Sequence, residues 1–465
     1  MLRRRDFLRA AAAALAPAAF AQKGQPPNII FILADDLGWG DLGCYGHPNI
    51  KTPGLDRLAR QGTQFTQFYV NGSVCSPSRS AFMTGHFPAR HRVHGHFADA
   101  ALNEARGMPN WLDPAVVTLP KLLKQAGYAS AHFGKWHLGS GPGAPGPEAY
   151  GFDDHRSINA NGPTWDQKDR FFRARSTQLI VDETIRFIEQ NRNKPFYANV
   201  WSLLPHATLD PTEEQLTPYE RFAPAGQLPH KGATQIYYAS VSALDREIGR
   251  LLARLDELGL AASTLVLFSS DNGPEDIHIR NASHSGVGSS GPFRGRKRSL
   301  YEGGVRLPFL VRWPGHVPAG RVDNNSVLTA VDFLPTLSKL AAVEVPAQWK
   351  LDGEDVGDIL LGRFRPRTMP ILWEWRFNIA GDVLNRSPIL AIREGDFKLL
   401  LNPDRSRTEL YNIPRDPSEL HNLAQDHPEI VERLAKQVLA WQKALPEGPV
   451  DKGAGRNDYP WPRPR

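Results

Sequence analysis

Three short segments carry the residues of this sequence best suited to chemistry. Asp35 and Asp36 follow the apolar run at 28–34, Asp271 and Asn272 follow "TLVLFSS", and Cys75 sits in "NGSVCSPSRSAFMTG" at 71–85. Neighbouring carboxylates at strand ends repel each other and lose solvation, so burying them requires a cation. Carboxylate and amide oxygens are hard ligands that favour Ca2+ or, less readily, Mg2+. A DD pair alone is weak evidence, because most such pairs are solvated loop residues. No compact Cys/His cluster offers a structural zinc site. Cys75 is one of two cysteines in 465 residues. From its type alone it could be a core thiol, half of a disulfide with Cys44, a nucleophile, or the precursor of another group.

The elements that must position these residues follow from hydrophobic pattern. The run at 28–34 is apolar without alternation, as expected of a strand covered on both faces. "FYANVWSLLPH" ends near His206, "TLVLFSSDNG" ends at Asp271 and Asn272, and "YASAHFGKWHLG" reads as a shorter strand leading to Lys135 and His137. Between them, "TLPKLLKQAGY" and "YYASVSALDREIGRLLARLDELG" place leucines at helical spacing, each stopped by a glycine. Alternating apolar strands and amphipathic helices predict an α/β domain with a large, mainly parallel sheet flanked by helices. Ligands of such sheets gather beyond the strands' carboxyl ends, where these polar residues fall.

After about residue 365 the pattern changes. "PILAIREGDFKLLLN" reads as two strands joined by a tight turn, "TELYNI" as a third, and "EIVERLAKQVLAWQKAL" as a helix. The expected organisation is a signal peptide at 1–21, a catalytic domain at 22–365, an α+β subdomain with a small antiparallel sheet at 366–450, and an extended tail at 451–465.

Bulk properties exclude little else. The 55 basic and 49 acidic side chains give a net charge of +6, spread along the chain, which argues against nucleic acid and permits anionic substrates. Two cysteines exclude a disulfide framework. Arg3 to Arg5 followed by Asp6-Phe7-Leu8, an alanine-rich stretch and Ala19-Phe20-Ala21 resemble a bacterial twin-arginine export signal. The expected location is therefore periplasmic or secreted, without a stable membrane span. That route carries folded proteins, so modification of Cys75 would precede export.

The stretch C-S-P-S-R-S-A-F-M-T-G from Cys75 matches the type I sulfatase signature, whose cysteine becomes formylglycine. "ILADDLGWGDLGCYG", "GKWHLG", "PH" at 205–206, "SDNG", "GRKRSLYEGGVRLP" and "ELYNIPRDPSELHNLA" follow in the family's order, so the resemblance covers nearly the whole mature chain. It implies the alkaline-phosphatase-like fold and a need for formylglycine-generating machinery. It also implies Ca2+ held by Asp35, Asp36, Asp271 and Asn272 with residue 75. Hydrated formylglycine is a geminal diol; one hydroxyl attacks sulfur, with Asp271 as candidate base and Arg79 and Lys135 holding the diol. Lys297 and His206 would contact sulfate, one or both assisting protonation of the leaving oxygen. His137 is the candidate base for collapse of the sulfated diol to the aldehyde. The resemblance places Lys297, rather than Arg296 or Arg298, at the sulfate. "LLPHAT" departs from the common P-H-x-P pattern of the family at the His206 loop.

The function implied is release of inorganic sulfate from a monoester. A phosphate or phosphonate monoester hydrolase is the nearest enzyme alternative, and a non-catalytic anion- or glycan-binding protein the alternative of another class. Similarity to arylsulfatases and N-acetylgalactosamine-6-sulfatases, with export, favours a sulfated carbohydrate. Trp39, Trp136, Trp165, Trp373 and Trp375 are candidate sugar-stacking rings, although tryptophans more often pack in cores.

Overall fold

The structure is a computed structural model that describes residues 26–158, 165, 169, 171–223, 232–279 and 282–458. The expected signal peptide and residues 459–465 of the expected tail lie outside the described residues.

Nine strands form the main sheet: β1 (Asn28–Ala34), β2 (Thr63–Tyr69), β3 (Ala129–Lys135), β4 (Asp154–Ile158), β5 (Phe196–Trp201), β6 (Thr264–Ser270), β7 (Arg306–Arg312), β8 (Arg321–Asp323) and β9 (Leu328–Thr329). Their order is β4-β3-β5-β1-β6-β7-β2-β8, with β9 also paired to β2. All seven residues of β1 are buried, as its unalternating sequence predicts. Ile29, Phe31 and Leu33 enter one apolar layer, and Ile30, Ile32 and Ala34 the other. The long helix Ala233–Glu257 covers the second layer with Val241, Leu244, Ile248 and Leu251.

Strand direction explains where the polar residues meet. β4, β3, β5, β1 and β6 are parallel, so their carboxyl ends share one edge. β7 runs antiparallel to β6, which brings its start, and the loop carrying Lys297, to that same edge. β2 is antiparallel to β7 in turn, so its end delivers Cys75 there as well.

A second sheet, β10 (Ile371–Glu374), β11 (Leu390–Glu394), β12 (Phe397–Leu401) and β13 (Glu409–Asn412), is antiparallel throughout. Helix Pro428–Lys443 packs on it through Leu434, Ala435 and Val438. This sheet shares an apolar core with the first layer of the main sheet. Residues 452–455, within the stretch read as an extended tail, instead form a turn. Asp451 N donates to Arg376 O (2.9 Å), Asn402 Nδ2 donates to Gly455 O (3.1 Å), and Ala454 is buried. Among the described residues no helix is long and apolar enough to cross a membrane.

Candidate active site

Cys75 is the first residue of helix Cys75–Thr84 and is buried. Its Sγ lies 3.4 Å from Asp35 Oδ1 and 3.4 Å from Lys135 Nζ. Asp35 and Asp36 leave the end of β1, and Asp271 and Asn272 the end of β6. One ligand atom from each of Asp35, Asp36, Asp271 and Cys75 lies within 4.8 Å of all the others. A close backbone approach helps assemble the cluster: Gly273 N donates to Gly304 O (3.0 Å), and a Cβ at Gly273 would stand 2.0 Å from Gly303 O. Three residues here, Asp36, His137 and Arg298, take positive φ angles of 65, 54 and 75°. That conformation costs about 1–2 kcal/mol per L-residue and persists where the surroundings impose it.

Three cations face the three acids. Arg79 donates from Nη2 (2.7 Å) and Nε (3.0 Å) to Asp271 Oδ2, and from Nη1 to Lys135 O (2.7 Å). Lys135 Nζ is 2.5 Å from Asp35 Oδ2, and Lys297 Nζ is 2.7 Å from Asp36 Oδ2. All six side chains are at most 6% exposed. Burial opposes ionisation of Asp35, yet Lys135, His206, Arg79 and Lys297 hold its carboxyl well below the usual range. Asp271 behaves oppositely: burial, reinforced by Asp35, pushes its carboxyl up to about 6 despite Arg79. Burial and the Asp271 charge also push the Cys75 thiol far up, so the unmodified side chain is a poor nucleophile.

The donor set fits a hard divalent cation. Asn272 Nδ2 donates to Asp36 Oδ1 (2.7 Å), while Asn272 Oδ1 is buried without a hydrogen-bond partner. An orphaned amide oxygen beside three carboxylates matches the ligand preference of Ca2+.

Two histidines border the cluster. His137 Nε2 lies 3.1 Å from Phe97 O and must donate to it, which leaves the buried Nδ1 an acceptor without a partner. Burial, with Lys135, His96 and Arg79 nearby, keeps this imidazole neutral. His206 Nδ1 donates to Ala207 O (2.6 Å), turning Nε2 toward Asp36 Oδ2 at 3.8 Å. Burial pulls the His206 pKa down to about 4, against the attraction of Asp35 and Asp36.

The structure therefore brings Asp35, Asp36, Cys75, Arg79, Lys135, Asp271, Asn272 and Lys297 together, with His206 beside Asp36 and His137 close to the cations. Of the basic run, Lys297 alone points at the acids. Arg296 is spent on the carbonyls of Glu275, Gly286 and Gly288. Arg298 forms a two-pronged pair with Glu275 (2.5 and 3.0 Å). Glu275, also 3.6 Å from Lys297 Nζ, was not singled out by the sequence, because nothing in its spacing marks a carboxylate that restrains two cations. Cys44 and Cys75 are both free thiols. Trp136, Trp373 and Trp375 are core residues, 4%, 1% and 6% exposed, and so are not sugar platforms. Trp39 packs edge-on against Tyr45 and Phe293, and Trp165 lies under Arg156.

The chain matches the Sulfatase family over residues 27–343 and the family N-sulphoglucosamine sulphohydrolase, C-terminal, over residues 291–444. It is 36% identical to N-acetylgalactosamine-6-sulfatase of Sus scrofa across 376 residues, 74% of this chain and 68% of that protein. It is 34% identical to arylsulfatase A of Homo sapiens across 401 residues, 77% of this chain and 71% of that one. The chain thus spans about two thirds of the length of the curated relatives it matches. Among solved structures it resembles Ps i-CgsB in complex with k-i-k-neocarrahexaose, with a TM-score of 0.76 and 26% identity, over 92% of this chain and 96% of that one.

Proposed function

The chain belongs to the sulfatase family, the sulfuric ester hydrolases, and we propose that it removes sulfate from a sulfated carbohydrate through a formylglycine made from Cys75 beside Ca2+. The observation that carries this reading is the meeting of Cys75 with three buried carboxylates and three buried cations at one edge of the sheet.

A divalent cation held by Asp35, Asp36, Asp271 and Asn272 would polarise sulfate oxygens and lower the pKa of a hydroxyl at position 75. Arg79 and Lys135 hold residue 75 and offset charge that develops there. Asp271, whose Oδ2 is gripped by Arg79, receives the proton of the attacking hydroxyl. Lys297 Nζ and His206 Nε2 both face Asp36 Oδ2; Lys297 reaches the sulfate and donates to the departing ester oxygen, and His206 Nε2, an acceptor while the ring is neutral, joins it on taking up a proton. His137 Nδ1, the unpaired buried acceptor, takes a proton when sulfate is expelled from residue 75. These groups are fixed by buried hydrogen bonds, so they need no reorganisation as charge develops.

A carbohydrate substrate is supported by two similar proteins, an N-acetylgalactosamine-6-sulfatase and Ps i-CgsB, whose crystal structure holds k-i-k-neocarrahexaose. Sulfate rather than phosphate suits a centre whose candidate metal-ligating groups, among the described residues, both contain Asp36 and Cys75 and so describe one ion. Maturation by formylglycine-generating machinery before twin-arginine export is part of the proposal.

The test is the mass of the tryptic peptide Gln61–Arg79 from active enzyme, with sulfate release measured on sulfated galactosides, aryl sulfates and matched phosphates. Replacement of sulfur by oxygen with loss of two hydrogens, and preference for a sulfated sugar, are expected. An unmodified thiol in active protein would defeat the reading.

A further inference from the structure

We infer that Arg173 is a positioning residue for His206, fixing which ring nitrogen faces the metal-ligand cluster. The inference rests on the reading of His206 as part of the sulfate-handling pair.

The loop after β5 is held firmly at its start. Ser202 N donates to Leu33 O (2.8 Å), Asp35 N to Leu204 O (3.1 Å), and Leu204 N to Ser202 Oγ (3.0 Å). Beyond Pro205 the sequence reads His206-Ala207-Thr208, without the second proline that would stiffen this turn. Arg173, from the first turn of helix Phe172–Asn191, replaces that stiffness from outside the loop. Its Nη2 donates to His206 O (2.9 Å) and Ala207 O (2.8 Å), and its Nε to Thr208 O (3.4 Å). One guanidinium thus grips three consecutive carbonyls, a task suited to its planar fork and beyond a lysine.

The middle carbonyl matters most. Ala207 O accepts from Arg173 Nη2 and also from His206 Nδ1 at 2.6 Å. A histidine's tautomer is set by the hydrogen bond its far nitrogen makes. By holding Ala207 O in place, Arg173 keeps the proton on Nδ1 and leaves Nε2 turned to Asp36 Oδ2. No carboxylate lies in ion-pair distance of Arg173 among the described residues, and helix stability gives no reason for a half-buried cation there. Its hydrogen bonds to the loop go to carbonyls, while Asp35 and Asp36 act on its charge from beyond ion-pair distance.

The test combines spectroscopy with a double-mutant cycle. Nitrogen-15 imidazole spectra of wild type, Arg173→Gln and Arg173→Lys are compared, with His206→Ala identifying the His206 signals. Wild type is expected to show His206 as the Nδ1–H tautomer, and both Arg173 variants a mixture; Arg173→Lys serves alone if Arg173→Gln does not fold. On a sulfated galactoside, Arg173→Gln is expected to lower kcat by about 10–100-fold with KM little changed, the size typical of a lost orienting partner. In the His206→Ala background it should add little. An unchanged His206 tautomer, or full additivity with His206→Ala, would reduce Arg173 to a loop staple and overturn the inference. Full activity of His206→Ala itself would instead overturn the role assigned to His206.

Discussion

Lys135 Nζ lies 2.5 Å from Asp35 Oδ2 while standing 3.4 Å from Cys75 Sγ. One ammonium therefore serves Asp35, a proposed metal ligand, and residue 75, the proposed nucleophile position, together, and the Lys135 backbone carbonyl takes Arg79 as well. Lys135→Ala is expected to lower kcat by about 10²–10³, the range for losing one fixed electrostatic donor. Asp35 would stay buried without its nearest cation, so unfolding in urea should show a loss of about 3–5 kcal/mol. A kcat within twofold of wild type would remove Lys135 from the machinery.

Asn272 predicts a metal effect that can be read without turnover. Its Oδ1 is the buried atom left without a partner, and its Nδ2 orients Asp36. Chelation is expected to lower the melting temperature, and Ca2+ at a hundred times its Kd to restore about 2.7 kcal/mol. Asn272→Ala should weaken Ca2+ binding by about tenfold or more, measured calorimetrically. A melting temperature indifferent to Ca2+ would count against the cation.

Most of the site was legible in the sequence because each part sits at the end of a locally recognisable element. Nearly all of β1 and the centre of β6, Leu265 to Phe268, are apolar, and the strands hand directly to Asp35-Asp36 and Asp271-Asn272. What stayed hidden depends on pairing across the chain. The antiparallel direction of β7, which delivers Lys297 to the shared edge, leaves no mark in "RLPFLVR". Glu275 and Arg173 belong to no spacing pattern, since their partners are fixed by tertiary packing. Aromatic composition likewise could not tell Trp136, Trp373 and Trp375 from surface rings, because burial of an indole is decided by what packs on it.

A last relationship of this hidden kind joins the two sheets. Lys398 on β12 is fully buried, 3.0 Å from both Glu302 Oε1 and Glu419 Oε1. Glu302 also accepts from Tyr69 OH (2.6 Å), and its backbone N donates to Glu419 Oε2 (2.6 Å). Burial, added to by Glu302 and opposed by Lys398, holds the Glu419 carboxyl up at about 7. Lys398→Met would leave two carboxylates facing each other in the core, at a cost of about 3–5 kcal/mol at neutral pH. Glu302 keeps Arg306 at 3.2 Å, whereas the Glu419 carboxyl, already held up in the wild type, would lose its opposing cation and rise further above its unfolded value, so folding would take up a proton. Stability contributed by such groups falls as pH rises, and the variant's deficit should shrink as pH is lowered toward about 5. Lys297 is held independently by Asp36, so kcat at permissive temperature should change much less than stability. Urea unfolding of both proteins at several pH values checks this, and a deficit that grew on acidification would show that the Lys398 cluster does not join the sheets in this way.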